Sequence, residues 1–217
     1  GIIPIIEPEV LYDGDHSLDE CLEATSRVLS TSLDIVRAYR VDMRHIVVKT
    51  GMVLAGKRYR AQSTPEEVAT ATLYVLNKAI SSEVGGVVFL SGGQAPVQAT
   101  KNLNAIGARG KQPWPITFSF SRAVQDPVME AWLGNKAHVA HAQRIFYHRL
   151  ACNSAARAGE YSSAMELKKK VWFIHNFFAK KLLTVTMHKF YYGFSAAHKN
   201  YSKTKTKPKT GLDNRLN

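Results

Sequence analysis

Four short apolar runs, at residues 2–6, 45–48, 86–90 and 116–120, constrain this chain more than any other feature. They are rich in β-branched and aromatic residues and too continuous for strands with one wet face, so they suit strands covered on both faces, as in a parallel sheet. Helical patterns separate them. Residues 17–40 place Leu18, Cys21, Leu22, Val28, Leu29, Leu33 and Val36 at mostly helical spacing. Thr64-Pro65-Glu66-Glu67 reads as a helix start, with Thr at the N-cap, Pro at the first helical position and Glu at the third. Residues 94–106 follow the third run. Residues 136–158 follow the fourth, after a short segment around Trp132. Strand–helix alternation requires right-handed crossovers and a parallel sheet. The runs start 30 to 43 residues apart, which predicts an α/β fold of about four βα units, half of a (β/α)8 TIM barrel. A doubly wound open sheet is the competing architecture. It is weakened because no GxGxxG or GxxxxGK[ST] follows any strand.

The net charge of +12 invites a nucleic-acid reading, but its distribution confines that idea. Residues 1–166 carry 17 Lys and Arg against 16 Asp and Glu, whereas residues 167–217 carry 12 basic residues and one acid, Asp213. The sequence therefore divides into a near-neutral α/β domain, 1–166, and a basic aromatic tail, 167–217, of low complexity at its end. A tail that binds acidic lipid or nucleic acid would make the chain a non-catalytic basic module, and the charge limits such a module to residues 167–217. A translated non-coding stretch is the blander account of the same residues, and nucleic acid is not an expected partner of the domain. Two cysteines, Cys21 and Cys152, give neither a disulfide framework nor zinc spacing and read as small packing residues. No apolar run is long enough for a spanning helix. The opening GIIPIIEPEV lacks the marks of a secretory signal, and the start without Met suggests a fragment.

In parallel α/β folds chemistry lies beyond the carboxyl ends of the strands. Here those ends carry Glu7 and Glu9, then Lys49, then Ser91-Gly92-Gly93, then Ser119, Ser121 and Arg122. Lys49 stands in an apolar stretch. Desolvation there favours a neutral amine able to attack a carbonyl; a lysine that merely snorkels out of the strand end is the alternative. Glu7 and Glu9, two apart around Pro8, point to one face of an extended chain and could divide acid and base roles, or simply form a solvated pair or ion partners for Lys49 and Arg122. Ser91-Gly92-Gly93 ends a strand and opens a helix, which suits backbone binding of an anion as well as a tight turn. Arg122 could add a bidentate phosphate contact or a surface ion pair. Together these residues describe amine catalysis on a phosphorylated carbonyl compound.

The strings PIIEPEVLYDGDH, VVKTGMVLAGK, GVVFLSGGQAPVQATKNLNAI, ITFSFSRAVQDPVMEAW and ACNSAARAGEYS resemble the second half of class I fructose-bisphosphate aldolase, over about residues 1–166. The resemblance implies a (β/α)8 barrel, usually a cytoplasmic homotetramer, that reversibly cleaves fructose 1,6-bisphosphate to dihydroxyacetone phosphate and glyceraldehyde 3-phosphate in glycolysis and gluconeogenesis. It implies Lys49 as the Schiff-base lysine, Glu7 as the proton-transferring acid/base and Glu9 as its neighbour. Ser91, Gly92, Gly93, Ser119, Ser121 and Arg122 become the phosphate binders, with no metal and no cofactor. Another Schiff-base barrel, of the transaldolase or deoxyribose-phosphate aldolase type, is the rival within enzymes. The chain departs from the family in Thr50-Gly51 after the lysine, where Pro-Asn is usual, and in Phe120-Ser121 before the arginine, where Tyr-Gly or Tyr-Ala is usual. Position 121 tolerates serine unless the backbone needs a positive φ. The segment from Leu167 lies outside the resemblance, and the family's first four strands are not in the chain, so these residues alone are expected to show little or no activity.

Two further features are expected to carry no chemistry. His138, His141 and His148 share a helical stretch and read as solvent-facing rather than as a metal face. Asp13-Gly14-Asp15-His16 opens like a calcium loop but lacks the later ligands.

Overall fold

A computed structural model of the chain describes residues 2–167. The expected tail, beyond its first residue Leu167, falls outside the described residues. Four parallel strands, β1 (Ile5–Ile6), β2 (Val47–Thr50), β3 (Gly86–Phe89) and β4 (Ile116–Phe118), lie side by side in sequence order. Right-handed crossovers that always step in one direction put every helix on the same face of the sheet, which is the winding of a barrel. A doubly wound sheet would reverse direction, and this one does not. The architecture is a partial TIM barrel, as the sequence predicts.

The helices are α1 (Leu18–Ala38), α2 (Pro65–Ala79), α3 (Pro96–Gly107), α4 (Arg122–Trp132), α5 (Val139–Arg157) and the short α6 (Ala164–Leu167). They form a continuous outer layer, with α1 against α2, α2 against α3, α3 against α5 and α5 against α4. The starts of α1 and α2 are fixed locally. Ser17 and Glu20 form one reciprocal capping box, and Thr64 and Glu67 form the other. Each satisfies backbone N–H groups that a helix start would otherwise leave open. The segment around Trp132 is the end of an eleven-residue helix that begins directly after the fourth strand. Pro127 in its interior hides that helix from the sequence, because proline removes a hydrogen bond and normally argues against a helix interior. None of the helices described is long and apolar enough to cross a membrane.

Strand side chains alternate between two faces. Ile46, Val48, Val87 and Phe89, each wholly inaccessible, meet Leu29, Leu33, Val75, Leu76, Leu103 and Ile106 in one core under the helices. Val47, Lys49 and Val88 project from the opposite face. Ile5 and Ile2 at the β1 edge are 54% and 97% exposed. Both outer strands have one partner among the described residues. Among the described residues the sheet therefore ends in two unpaired edges, while Val47 and Val88 on its inner face are buried.

Candidate active site

The register of the sheet builds the site. Ile5 pairs with Val47 and Ile6 with Val48, so the next residue, Glu7, comes alongside Lys49 on the same face. Glu7 Oε2 accepts a hydrogen bond from Lys49 Nζ at 2.8 Å. The lysine side chain is 23% exposed and the glutamate half exposed. The amine thus stands against a carboxylate rather than in apolar surroundings alone, which revises the expectation drawn from its flanking residues. Glu9, expected beside the lysine, is exposed and makes no ion pair or hydrogen bond among the described residues. Leu90 N–H to Thr50 C=O at 3.0 Å and Ser119 N–H to Phe89 C=O at 2.7 Å carry the ladder past the strand ends and set the turns that follow.

After β3, Ser91 is buried, and its carbonyl accepts from Gln94 N–H at 3.0 Å in a tight turn. Gly92 and Gly93 take φ of +59° and +90°, which explains glycine at both positions. A side chain at Gly93 would also begin 3.4 Å from both terminal nitrogens of Arg122, so the guanidinium stands over this turn. Arg122 is the first residue of α4 and is exposed, with no carboxylate paired to it among the described residues. Ser121 before it has φ of −89°, so no positive φ is asked of the serine that departs from the family pattern. Its side chain does not cap the helix, and its Oγ lies 3.3 Å from Gln125 Oε1. The first N–H groups of α4 are thus left without a side-chain acceptor, beside the arginine. Ser119 is exposed on the same rim. The turn, the guanidinium and the helix start lie together on one rim, at the strand ends that also carry the amine–carboxylate pair, and donors of this kind suit an anion. A cleft of about 540 Å³ lined by Asp34, Lys78, Ser81 and Trp114 lies before β3 and β4, away from these strand ends.

Two polar clusters were not legible in the sequence. Behind the glycine turn, Asn102 Nδ2 donates to Gln94 Oε1 at 2.7 Å, both side chains buried. The second cluster joins α5 to α6. Arg149, 4% exposed, donates from Nη1 to both oxygens of Glu166 at 2.7 Å and from Nη2 to Pro96 C=O and Thr100 Oγ1. Tyr161 OH donates to Glu166 Oε1 at 3.0 Å, and His148 Nε2 lies 3.2 Å from Glu166 Oε2. His148 is therefore half-buried and partnered, which corrects its reading as solvent-facing; His141 is exposed as expected. Burial pushes Glu166 up, but Arg149, His148 and Tyr161 outweigh it and hold the carboxyl below its ordinary range. Burial, reinforced by Glu166, pushes the Tyr161 phenol up to about 12 and the Cys152 thiol up to about 11. The buried stripe of α5 consists of Ala142, Arg149, Cys152, Asn153 and Ala156, so apolar periodicity could not reveal it.

Successive parallel strands backed by helices, with a lysine–carboxylate pair, a glycine turn and an arginine at the carboxyl ends, define a partial (β/α)8 barrel. A sequence model described as fructose-bisphosphate aldolase class-I matches residues 1–181, and the chain belongs to that family. The match runs past residue 166, so the likeness does not stop where the composition changes. A cytosolic fructose-bisphosphate aldolase of Arabidopsis thaliana is 39% identical over 77% of this chain and 43% of that protein. A chloroplastic one from Oryza sativa is 37% identical over 82% and 46%. Among solved structures, fructose-bisphosphate aldolase of Plasmodium falciparum, in complex with TRAP and a small-molecule inhibitor, matches with a TM-score of 0.72. It is 39% identical over 74% of this chain and 46% of that one. The chain spans less than half the length of the curated relatives it matches.

Proposed function

We propose that these residues are the Schiff-base half of a fructose-bisphosphate aldolase, acting on fructose 1,6-bisphosphate, dihydroxyacetone phosphate and glyceraldehyde 3-phosphate. The observation that carries the reading is the 2.8 Å pair of Lys49 and Glu7 on the strand-end face that also holds Ser91-Gly92-Gly93 and Arg122. Lys49 Nζ attacks the substrate ketone, and loss of water leaves an iminium that withdraws electrons from the neighbouring carbon. Glu7, in contact with the nitrogen, moves the protons of these steps. A carboxylate takes the C4 hydroxyl proton as the C3–C4 bond breaks, and the resulting enamine is protonated and hydrolysed. Backbone N–H groups of the glycine turn and of the start of α4, with Arg122, Ser119 and Ser121, hold a phosphate. Glu9, exposed and outside this pair, has the weaker case for a chemical role. The imine supplies the electron sink, so neither metal nor cofactor is required. A cytoplasmic homotetramer, as the family resemblance implies, belongs to the same reading.

The described residues supply four strand ends, where a closed barrel surrounds its site with eight. Slow or absent cleavage of fructose 1,6-bisphosphate by this chain alone is therefore expected, while imine formation needs only Lys49. Intact-mass measurement after borohydride reduction tests the phosphate-directed reading. Dihydroxyacetone phosphate should leave one reduced adduct at concentrations where dihydroxyacetone leaves none. Equal labelling by both, or labelling by neither, would count against it.

A further inference from the structure

We propose that His148, Cys152 and Glu166 form a three-ligand site for a zinc ion, distinct from the strand-end site and independent of the aldolase reading. His148 and Cys152 lie four apart on one face of α5, and Glu166 reaches them from α6. Their donor atoms all fall within 4.8 Å of one another. The His148 Nε2 to Glu166 Oε2 distance is 3.2 Å, and the Cys152 Sγ to His148 Nε2 distance is 3.7 Å. Metal–ligand bonds of about 2.0–2.3 Å in a tetrahedron place N and O about 3.3 Å apart and N and S about 3.6 Å apart, so these two separations match edges of a zinc coordination tetrahedron, and the third, from Cys152 Sγ to Glu166, lies within 4.8 Å. Imidazole, thiolate and carboxylate together suit zinc rather than calcium or magnesium, which take oxygen ligands.

The surroundings orient the ligands. Glu166 Oε1 accepts from Tyr161 OH and Arg149 Nη1, and Oε2 accepts from the same Arg149 nitrogen at 2.7 Å while its other side faces the histidine. Arg149 is itself anchored by Pro96 C=O and Thr100 Oγ1 on α3. Such outer contacts fix a carboxylate for a metal. The guanidinium adds a positive charge near the ion, and the thiolate and carboxylate together supply two negative charges against it. Cys152 is wholly buried, whereas His148 and Glu166 side chains keep 16% and 19% exposure, leaving a fourth position open to water. On binding, the Cys152 S–H bond breaks, its proton passes to solvent, and the sulfur pair forms the bond to zinc. The ion would clasp α6 to α5.

The test is titration of the full chain, thiols reduced, with cobalt(II) as the probe and zinc as competitor. One equivalent of cobalt should give a thiolate-to-metal band in the near ultraviolet and visible bands of four-coordinate cobalt, both erased by zinc. Histidines elsewhere in the chain cannot give the sulfur band, and Cys21 and Cys152 are the only thiols. The band should persist in Cys21→Ala and vanish in Cys152→Ala and in Cys152→Ser, the latter preserving volume should the former fold poorly. Tyr161→Phe should weaken zinc about tenfold. A wild-type chain without the sulfur band, or a band that survives loss of Cys152 or disappears with Cys21, overturns the site whatever becomes of the aldolase reading.

Discussion

Replacing Lys49 by Arg is expected to leave the chain folded and to remove its ability to form a reducible imine. Arginine keeps a positive charge opposite Glu7, whose carboxylate accepts from the lysine nitrogen at 2.8 Å. The side chain is partly exposed at a strand end, so the longer guanidinium can be accommodated without opening the core. A guanidinium remains protonated at any pH a protein survives and offers no free amine to a ketone. Removing a covalent nucleophile costs on the order of 10³-fold or more in the step it performs. Mass measurement of borohydride-reduced chain with dihydroxyacetone phosphate reads the loss, and circular dichroism confirms the fold. Undiminished labelling of Lys49→Arg would remove this residue from the chemistry. Glu7→Gln should slow labelling without abolishing it, because the amine persists while its proton partner does not.

Phe89→Ala should be the most damaging single change to the fold. Its ring is wholly buried under the helix layer, on β3, which like β2 has neighbours on both sides. Phenylalanine truncation at such a position costs about 3–5 kcal/mol, from lost transfer energy and the cavity left behind. A domain of this size has stability of about 5–15 kcal/mol in total, so urea unfolding should shift to much lower denaturant. Tyr74→Ala, on the exposed face of α2 with 55% of its surface accessible, should change stability by less than about 0.5 kcal/mol. A Phe89→Ala midpoint close to that of Tyr74→Ala would mean that the core does not lie where the burial pattern places it.

Much of this arrangement could be anticipated from local chemistry. The strands announced themselves because Val47-Val48 and Val87-Val88 are covered on both faces, and continuous β-branched residues have few other uses. The start of α2 was legible because Thr64 and Glu67 satisfy each other's backbone within four residues. The candidate site was legible as a set of strand-end residues because topology, rather than side-chain detail, gathers those ends. What brought Glu7 and not Glu9 to Lys49 was register, and register depends on which residue of β1 faces which residue of β2. No local signal carries that. The helix α4 was shortened in the sequence because Pro127 breaks the pattern that would have revealed it. The cluster of Arg149, Tyr161 and Glu166 was invisible for a different reason. Its members are polar residues buried by one another across segments up to 17 residues apart, and periodicity registers only apolar burial.

The central claim is that one amine, Lys49, held by Glu7 beside the glycine turn, is the nucleophile of this chain. Peptide mapping of the wild-type chain after reduction with dihydroxyacetone phosphate and borohydride tests it most directly. The account predicts the added mass on the peptide carrying Lys49 and on no other. An adduct on Lys57, Lys101 or Lys136 in its place, or spread evenly over the exposed lysines, would contradict it.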